Sequence, residues 1–126
     1  MSTATKQKTK AKDRLSDQEV QATYTRYQND LQALASKIGE LESEAEEHEL
    51  VLTSLTDVLA SDPTRKCFRL IGGVLVERTV KDVVPALNTN RDGIKRVILN
   101  LAEQYKAKES EFNAFVREYD IRPSRS

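Results

Sequence analysis

From Val20 to Leu59 one side chain in every three or four is apolar, in strictly alternating steps of four and three. The series is Val20, Tyr24, Tyr27, Leu31, Leu34, Ile38, Leu41, Ala45, His48, Leu52, Leu55, Leu59, and only His48 is out of character. An ideal α-helix drifts about 20° per heptad against such a 3.5-residue period. A helix that keeps the period this long therefore supercoils around a partner. The residues between the seam positions are mostly charged or polar. Just upstream, Ser16-Asp17-Gln18-Glu19 has the form of a capping box, in which serine and glutamate satisfy each other's backbone amides. A coiled-coil helix is expected over residues 16–60.

Ser61-Asp62-Pro63 stops that helix, because the residue before a proline is pushed out of the helical region. Two β-rich runs follow, Arg65 to Ile71 and Val74 to Thr79, separated by Gly72-Gly73. Two glycines between such runs predict a hairpin with a primed turn, so 61–79 is expected to be a β-hairpin. That turn places Ile71 opposite Val74, Leu70 opposite Leu75, Arg69 opposite Val76 and Phe68 opposite Glu77. Phe68, Leu70 and Leu75 then share one face, and Ile71, Val74 and Val76 the other. After Thr79, a second cap candidate, the four-three pattern returns: Val80, Val84, Leu87, Arg91, Ile94, Ile98, Leu101, Tyr105, Lys108, Phe112, Phe115, Tyr119. A second coiled-coil helix is expected over 80–121. Pro85 lies inside it, and the unbroken phase predicts a kink or a short leading helix there. Arg122-Pro123-Ser124 closes the segment, leaving 122–126 as a tail.

The two seams are equally long, and at 1.5 Å per residue each spans roughly 58 Å. With a hairpin returning the chain, the arms should pair antiparallel, with partner numbers summing to about 139. The expected fold class is thus mainly α: a long antiparallel two-helix coiled coil with a single β-hairpin at the closed end. The same rule puts Val20 by Tyr119, Leu59 by Val80 and His48 beside Arg91, a polar exception in the other seam. Glu44 and Glu47 are the carboxylates expected to balance Arg91.

Composition removes other classes. Four glycines and three prolines among 126 residues are too few for a many-stranded sandwich, a Rossmann domain or a barrel. Lys plus Arg and Asp plus Glu number 20 each, so no net charge draws the chain to nucleic acid or to an anionic membrane. Neither is expected as a partner. Cys67 is the only cysteine and His48 the only histidine, which excludes an intrachain disulfide and a His-pair metal site. His48, the one partner Cys67 has for a nucleophilic pair, sits on the far side of a helix end, so Cys67 is read as a hairpin residue. The Glu44/His48 pair could touch a divalent ion at i,i+4 spacing. A solvated glutamate-rich flank accounts for it and for the run Glu40, Glu42, Glu44, Glu46, Glu47 and Glu49. Gly72-Gly73 lacks the lysine of a phosphate-binding loop. No enzyme activity, cofactor or metal is expected. The N-terminal stretch 1–15 alternates Lys6, Lys8, Lys10 and Lys12 with small polar residues. It presents no apolar helical face of the kind a transit peptide uses, so a disordered basic tail is expected.

A lone hairpin that is apolar on both faces and open on both edges is unstable in water. Nothing else in the sequence can cover it, so it is expected to pair with hairpins of other chains. The interface candidates are Cys67, Phe68, Leu70, Ile71, Val74, Leu75 and Val76. At this point the run from Cys67-Phe68-Arg69-Leu70-Ile71-Gly72-Gly73 to Val83-Val84-Pro85-Ala86-Leu87, flanked by heptad helices of matched length, resembles the β-class prefoldin subunits.

The resemblance implies a chaperone subunit in a heterohexamer of two α-class and four β-class chains, with the hairpins joined in a barrel platform. It implies capture of unfolded actin and tubulin without ATP, and delivery to the group II chaperonin in the cytoplasm, with nuclear residence compatible. It also places client contact at the arm tips, where Val20, Tyr24 and Tyr27 come near Phe112, Phe115 and Tyr119. A structural coiled-coil adaptor in another complex is the alternative reading. A basic-zipper DNA binder is a poorer one, since the basic tail has no helical pattern.

Overall fold

The computed structural model describes residues 14–122. The expected basic tail up to residue 13 and the stretch 123–126 lie outside the described residues. Four elements run in order: α1 (Asp17–Ser61), β1 (Lys66–Ile71), β2 (Val74–Thr79) and α2 (Val80–Glu118). The expected fold class is the observed one, two long helices with one antiparallel hairpin between them. The chain forms two compact units, one of Ser36–Glu103 and one combining the segments before Ser36 and after Glu103.

Each helix end has an identifiable cause. At the start of α1 the capping box is complete: the Ser16 amide donates to Glu19 Oε1 at 2.9 Å, and the Glu19 amide donates to Ser16 Oγ at 3.1 Å. The Ser16 backbone amide also holds the Glu19 carboxyl below the usual carboxylate range. α2 begins directly after β2, without a loop. Its first two amides donate to backbone carbonyls of the inter-element turn, Val80 to Arg65 at 3.0 Å and Lys81 to Pro63 at 2.9 Å. The expected Thr79 cap is thus supplanted by a backbone one.

Pro85 does not break α2, so the expected short leading helix is not formed. An interior proline costs about 3 kcal/mol, which is set here against the packing of Val80, Val83, Val84 and Leu87, all buried on the helix's inner side. The far end of α2 comes earlier than expected. Asp120 adopts φ 49°, and the Ile121 and Asp120 amides donate to the carbonyls of Val116 (2.9 Å) and Arg117 (3.3 Å). This is a Schellman turn, with aspartate tolerated in the left-handed position.

Every seam position of both helices is buried or half-buried. In the unit Ser36–Glu103 the tightest packing lies next to the hairpin. Leu52, Val80, Val83, Val84 and Leu87 form one core cluster, with Leu55, Val58, Leu59 and Cys67 packed against it. Val80, the residue that joins strand to helix, is 1% exposed. In the other unit, Tyr24 and Tyr27 meet Phe112 at ring-centroid distances of 5.3 and 5.6 Å. Both sets of contacts follow the expected antiparallel register.

The polar exceptions in the seam behave differently from each other. His48 Nδ1–H donates to the Glu44 carbonyl one turn back, at 2.9 Å. Half-buried Arg91 lies 4.0 Å from Glu49 and 3.1 Å from Asp92. The carboxylate facing it across the seam is therefore Glu49, not Glu44 or Glu47. Glu49 flanks the seam on the side where α2 presents Lys95, whereas Glu47 points away from the partner helix and Glu44 lies on the opposite flank. Lys95 also donates to Glu49 at 2.7 Å, and this bond, more than any other interaction, holds the Glu49 carboxyl below its ordinary range.

Two outcomes follow from this packing. Leu87→Ala should cost about 2–4 kcal/mol in denaturant unfolding, whereas Leu70→Ala, on the exposed hairpin, should change the isolated chain by about 0.5 kcal/mol or less. Replacing His48 and Arg91 together with leucine should raise the thermal midpoint, because Lys95 still satisfies Glu49. The antiparallel alignment should loosen at the same time, since isolated polar seam residues fix register at a cost in stability. A lower midpoint would count against this account of the seam.

Candidate functional site: the apolar hairpin and the aromatic cluster

The hairpin registers as the turn chemistry requires. Lys66 pairs with Thr79, Cys67 with Arg78, Phe68 with Glu77, Arg69 with Val76, Leu70 with Leu75 and Ile71 with Val74. Gly72 and Gly73 both have positive φ, 54° and 83°, as a type I′ turn demands of its two central residues. Among the described residues the sheet has two strands, so each has an outer edge without a ladder partner there.

What this ribbon displays is apolar. Leu70 is 71% exposed, Leu75 67%, Val74 63%, Phe68 62% and Ile71 47%. These five come from both faces, because residues in alternate positions along a strand point to opposite sides. Val76 is half-buried. Cys67 stands apart from the other interface candidates: it packs against the core cluster, and its thiol is 3.9 Å from the Arg65 carbonyl. Among the described residues the root of the hairpin is therefore covered, while the tip is not. Fully burying a side chain of this size is worth roughly 1.5–3 kcal/mol. Because they are exposed only in part, the five residues hold on the order of 5–10 kcal/mol that no contact among the described residues recovers, before any cost of association.

The second candidate surface belongs to the other unit. Phe115 is buried, and Val20, Tyr24, Tyr27, Phe112 and Tyr119 are half-buried. Besides the two Phe112 contacts, Tyr27 lies 5.5 Å from Phe115 and Phe115 lies 5.0 Å from Tyr119, all with tilted rings. Such pairs gain about 0.5–1.5 kcal/mol beyond burial, so the five aromatic residues among the expected tip residues are joined as a packed cluster rather than displayed as free rings.

Sequence reasoning missed the polar clasp around this cluster. Lys108 holds a seam position, with its ammonium 3.7 Å from Asp30 and 5.6 Å above the Tyr27 ring. The signal was present, since Lys108 is a charged residue in an apolar series. Arg14 and Leu15, expected to belong to the tail, contact Tyr119. No periodicity marks them.

Among the described residues no group of three or more His, Cys, Asp or Glu side chains is placed to hold a metal ion, and no helix is long and apolar enough to cross a membrane. The surface these residues do show is an exposed apolar ribbon. Comparison with known proteins agrees. The family model described as "Prefoldin subunit" matches residues 18–122. "Prefoldin subunit 2" of Homo sapiens is 46% identical over 111 residues, covering 88% of this chain and 70% of the relative. The Mus musculus protein of the same name gives the same identity and coverage. "Prefoldin subunit 2" of Arabidopsis thaliana is 40% identical over 106 residues, covering 84% and 70%. The match takes in both heptad helices and the exposed hairpin between them, and the chain belongs to the prefoldin subunit family.

Proposed function

We propose that this chain is a β-class subunit of a heterohexameric chaperone with two α-class and three further β-class partners. In this reading the complex captures unfolded actin and tubulin without ATP and hands them to the group II chaperonin in the cytoplasm. The observation that carries it is the hairpin tip: five large apolar side chains exposed on two faces, on strands with open edges. Pairing those edges with neighbouring hairpins satisfies the ladder groups and buries the apolar surface in one step. Phe68, Leu70, Ile71, Val74, Leu75 and Val76 are the residues assigned to that contact. Cys67 supports it from below, through the core.

Client capture is assigned to Val20, Tyr24, Tyr27, Phe112, Phe115 and Tyr119. Helix ends open more readily than helix middles, because terminal amides and carbonyls lack intrahelical partners. An opened end offers aromatic rings to apolar stretches of an unfolded chain. Weak contacts from several arms of one complex add up by avidity.

Assembly is tested first. The double variant Leu70→Asp/Val76→Asp should keep its helical circular dichroism yet fail to enter the hexamer on size-exclusion chromatography with the partner subunits. A normal hexamer would refute the assigned interface. Removing residues 1–23 and 116–126 together should leave the hexamer intact and abolish most of its suppression of actin aggregation. Undiminished suppression would place the capture surface elsewhere, such as the inner faces of the arms.

A further inference from the structure

Three contacts from the short segment preceding α1 converge on Glu118, the last residue of α2, and on Tyr119, the next. The Leu15 amide donates to the Tyr119 hydroxyl at 3.1 Å. The Arg14 guanidinium lies 4.6 Å above the Tyr119 ring centroid, and Arg14 Nη2 approaches the Glu118 carbonyl at 3.5 Å. None of these is required to build either helix. Leu15 lies before the N-cap, so its amide is not among the donors that a helix start leaves open. The α2 end is already closed by its own Schellman turn. Arg14 sits where the partial negative charge of the α2 C-terminus favours a cation, and the ring face adds a second attraction for the same group.

Tyr119 is also the outermost ring of the aromatic cluster, 5.0 Å from buried Phe115, which in turn contacts Tyr27. The side chain that receives the strap is thus the one through which the cluster would open. We propose that Arg14 and Leu15 form a latch, with Tyr119 as its catch, that sets how often this end of the chain opens. The phenol hydroxyl and the guanidinium determine the strength of closure, and the Schellman turn determines only the shape of the α2 end. Arg14 is exposed, so its share of the closure weakens as salt rises, while the hydrogen bond from Leu15 does not.

The consequence for client capture rests on the function proposed above; the latch itself does not, and the two are measured separately. Tyr119→Phe keeps the ring and its packing but removes the acceptor for the Leu15 amide. Arg14→Gln removes the cation and keeps most of the side-chain length. Amide hydrogen exchange on the full chain within its assembled complex reads the latch. Each variant should speed exchange at residues 15–24 and 115–121 about fivefold, and the double variant further, with no change at residues 66–87. Added salt should speed exchange in the wild type and in Tyr119→Phe, but not in Arg14→Gln. Exchange that stays at the wild-type rate at both chain ends in the double variant would overturn the latch. So would acceleration spread evenly over residues 66–87 as well, which would mark general destabilisation. Suppression of actin aggregation by the same complexes reads the consequence. Faster exchange with stronger suppression supports both readings, whereas faster exchange with unchanged suppression keeps the latch and removes the capture role from these rings.

Discussion

The structure depends on an apolar seam that neither helix can bury alone. A stripe with a 3.5-residue period on one helix needs a matching stripe beside it, and the hairpin returns the chain so that the second stripe can serve. Each seam residue is buried or half-buried as a result. The packing is not uniform along the chain. The cluster of Leu52, Val80, Val83, Val84 and Leu87 lies next to the hairpin, where strand and helix join without a loop. It gives a ribbon that would be marginal by itself a root in a close-packed core.

That root explains how the hairpin can stay apolar at its tip. Cys67, near the base of β1, is held by the core, and the α2 amides of Val80 and Lys81 are tied back to the carbonyls of Arg65 and Pro63. The two strands are fixed at their base before any partner arrives. Leu70, Ile71, Val74 and Leu75 are then presented in a set register on a primed turn. A preorganised ribbon loses less conformational freedom on association than a flexible loop would. In the assembly proposed above, the exposure that destabilises the isolated chain becomes the driving force for association.

Charges refine this frame without holding it up. Arg91 and Lys95 both approach Glu49 from across the seam, and Lys108 approaches Asp30 in the other unit. These side chains are partly exposed, so each pair contributes at most modest stability. Their value lies in register: a one-heptad slip would move both cations of α2 away from their carboxylate. At the aromatic cluster the clasp differs in kind, because Arg14 and Leu15 reach the α2 end from outside any helix.

How much was legible in the sequence follows from how local each signal is. Heptad phase, the capping box, the proline stop and the Gly-Gly turn are short-range patterns. They determined two helices, one hairpin, its register and the antiparallel pairing, and exposure on both hairpin faces followed from the absence of covering residues. The run from Cys67 to Leu87 carried the family resemblance. The rest was decided by tertiary contact. Pro85 is accommodated because the buried valines around it hold the helix together. The α2 start is capped by backbone carbonyls that no residue type announces. Arg91 is met by Glu49 because flank geometry, not proximity in sequence, selects the carboxylate. Arg14 and Leu15 reach Tyr119 across more than a hundred residues, a contact with no periodicity to betray it. Backbone patterns repeat and can be read along the chain; a carbonyl or a phenol that finds its partner once, through space, cannot.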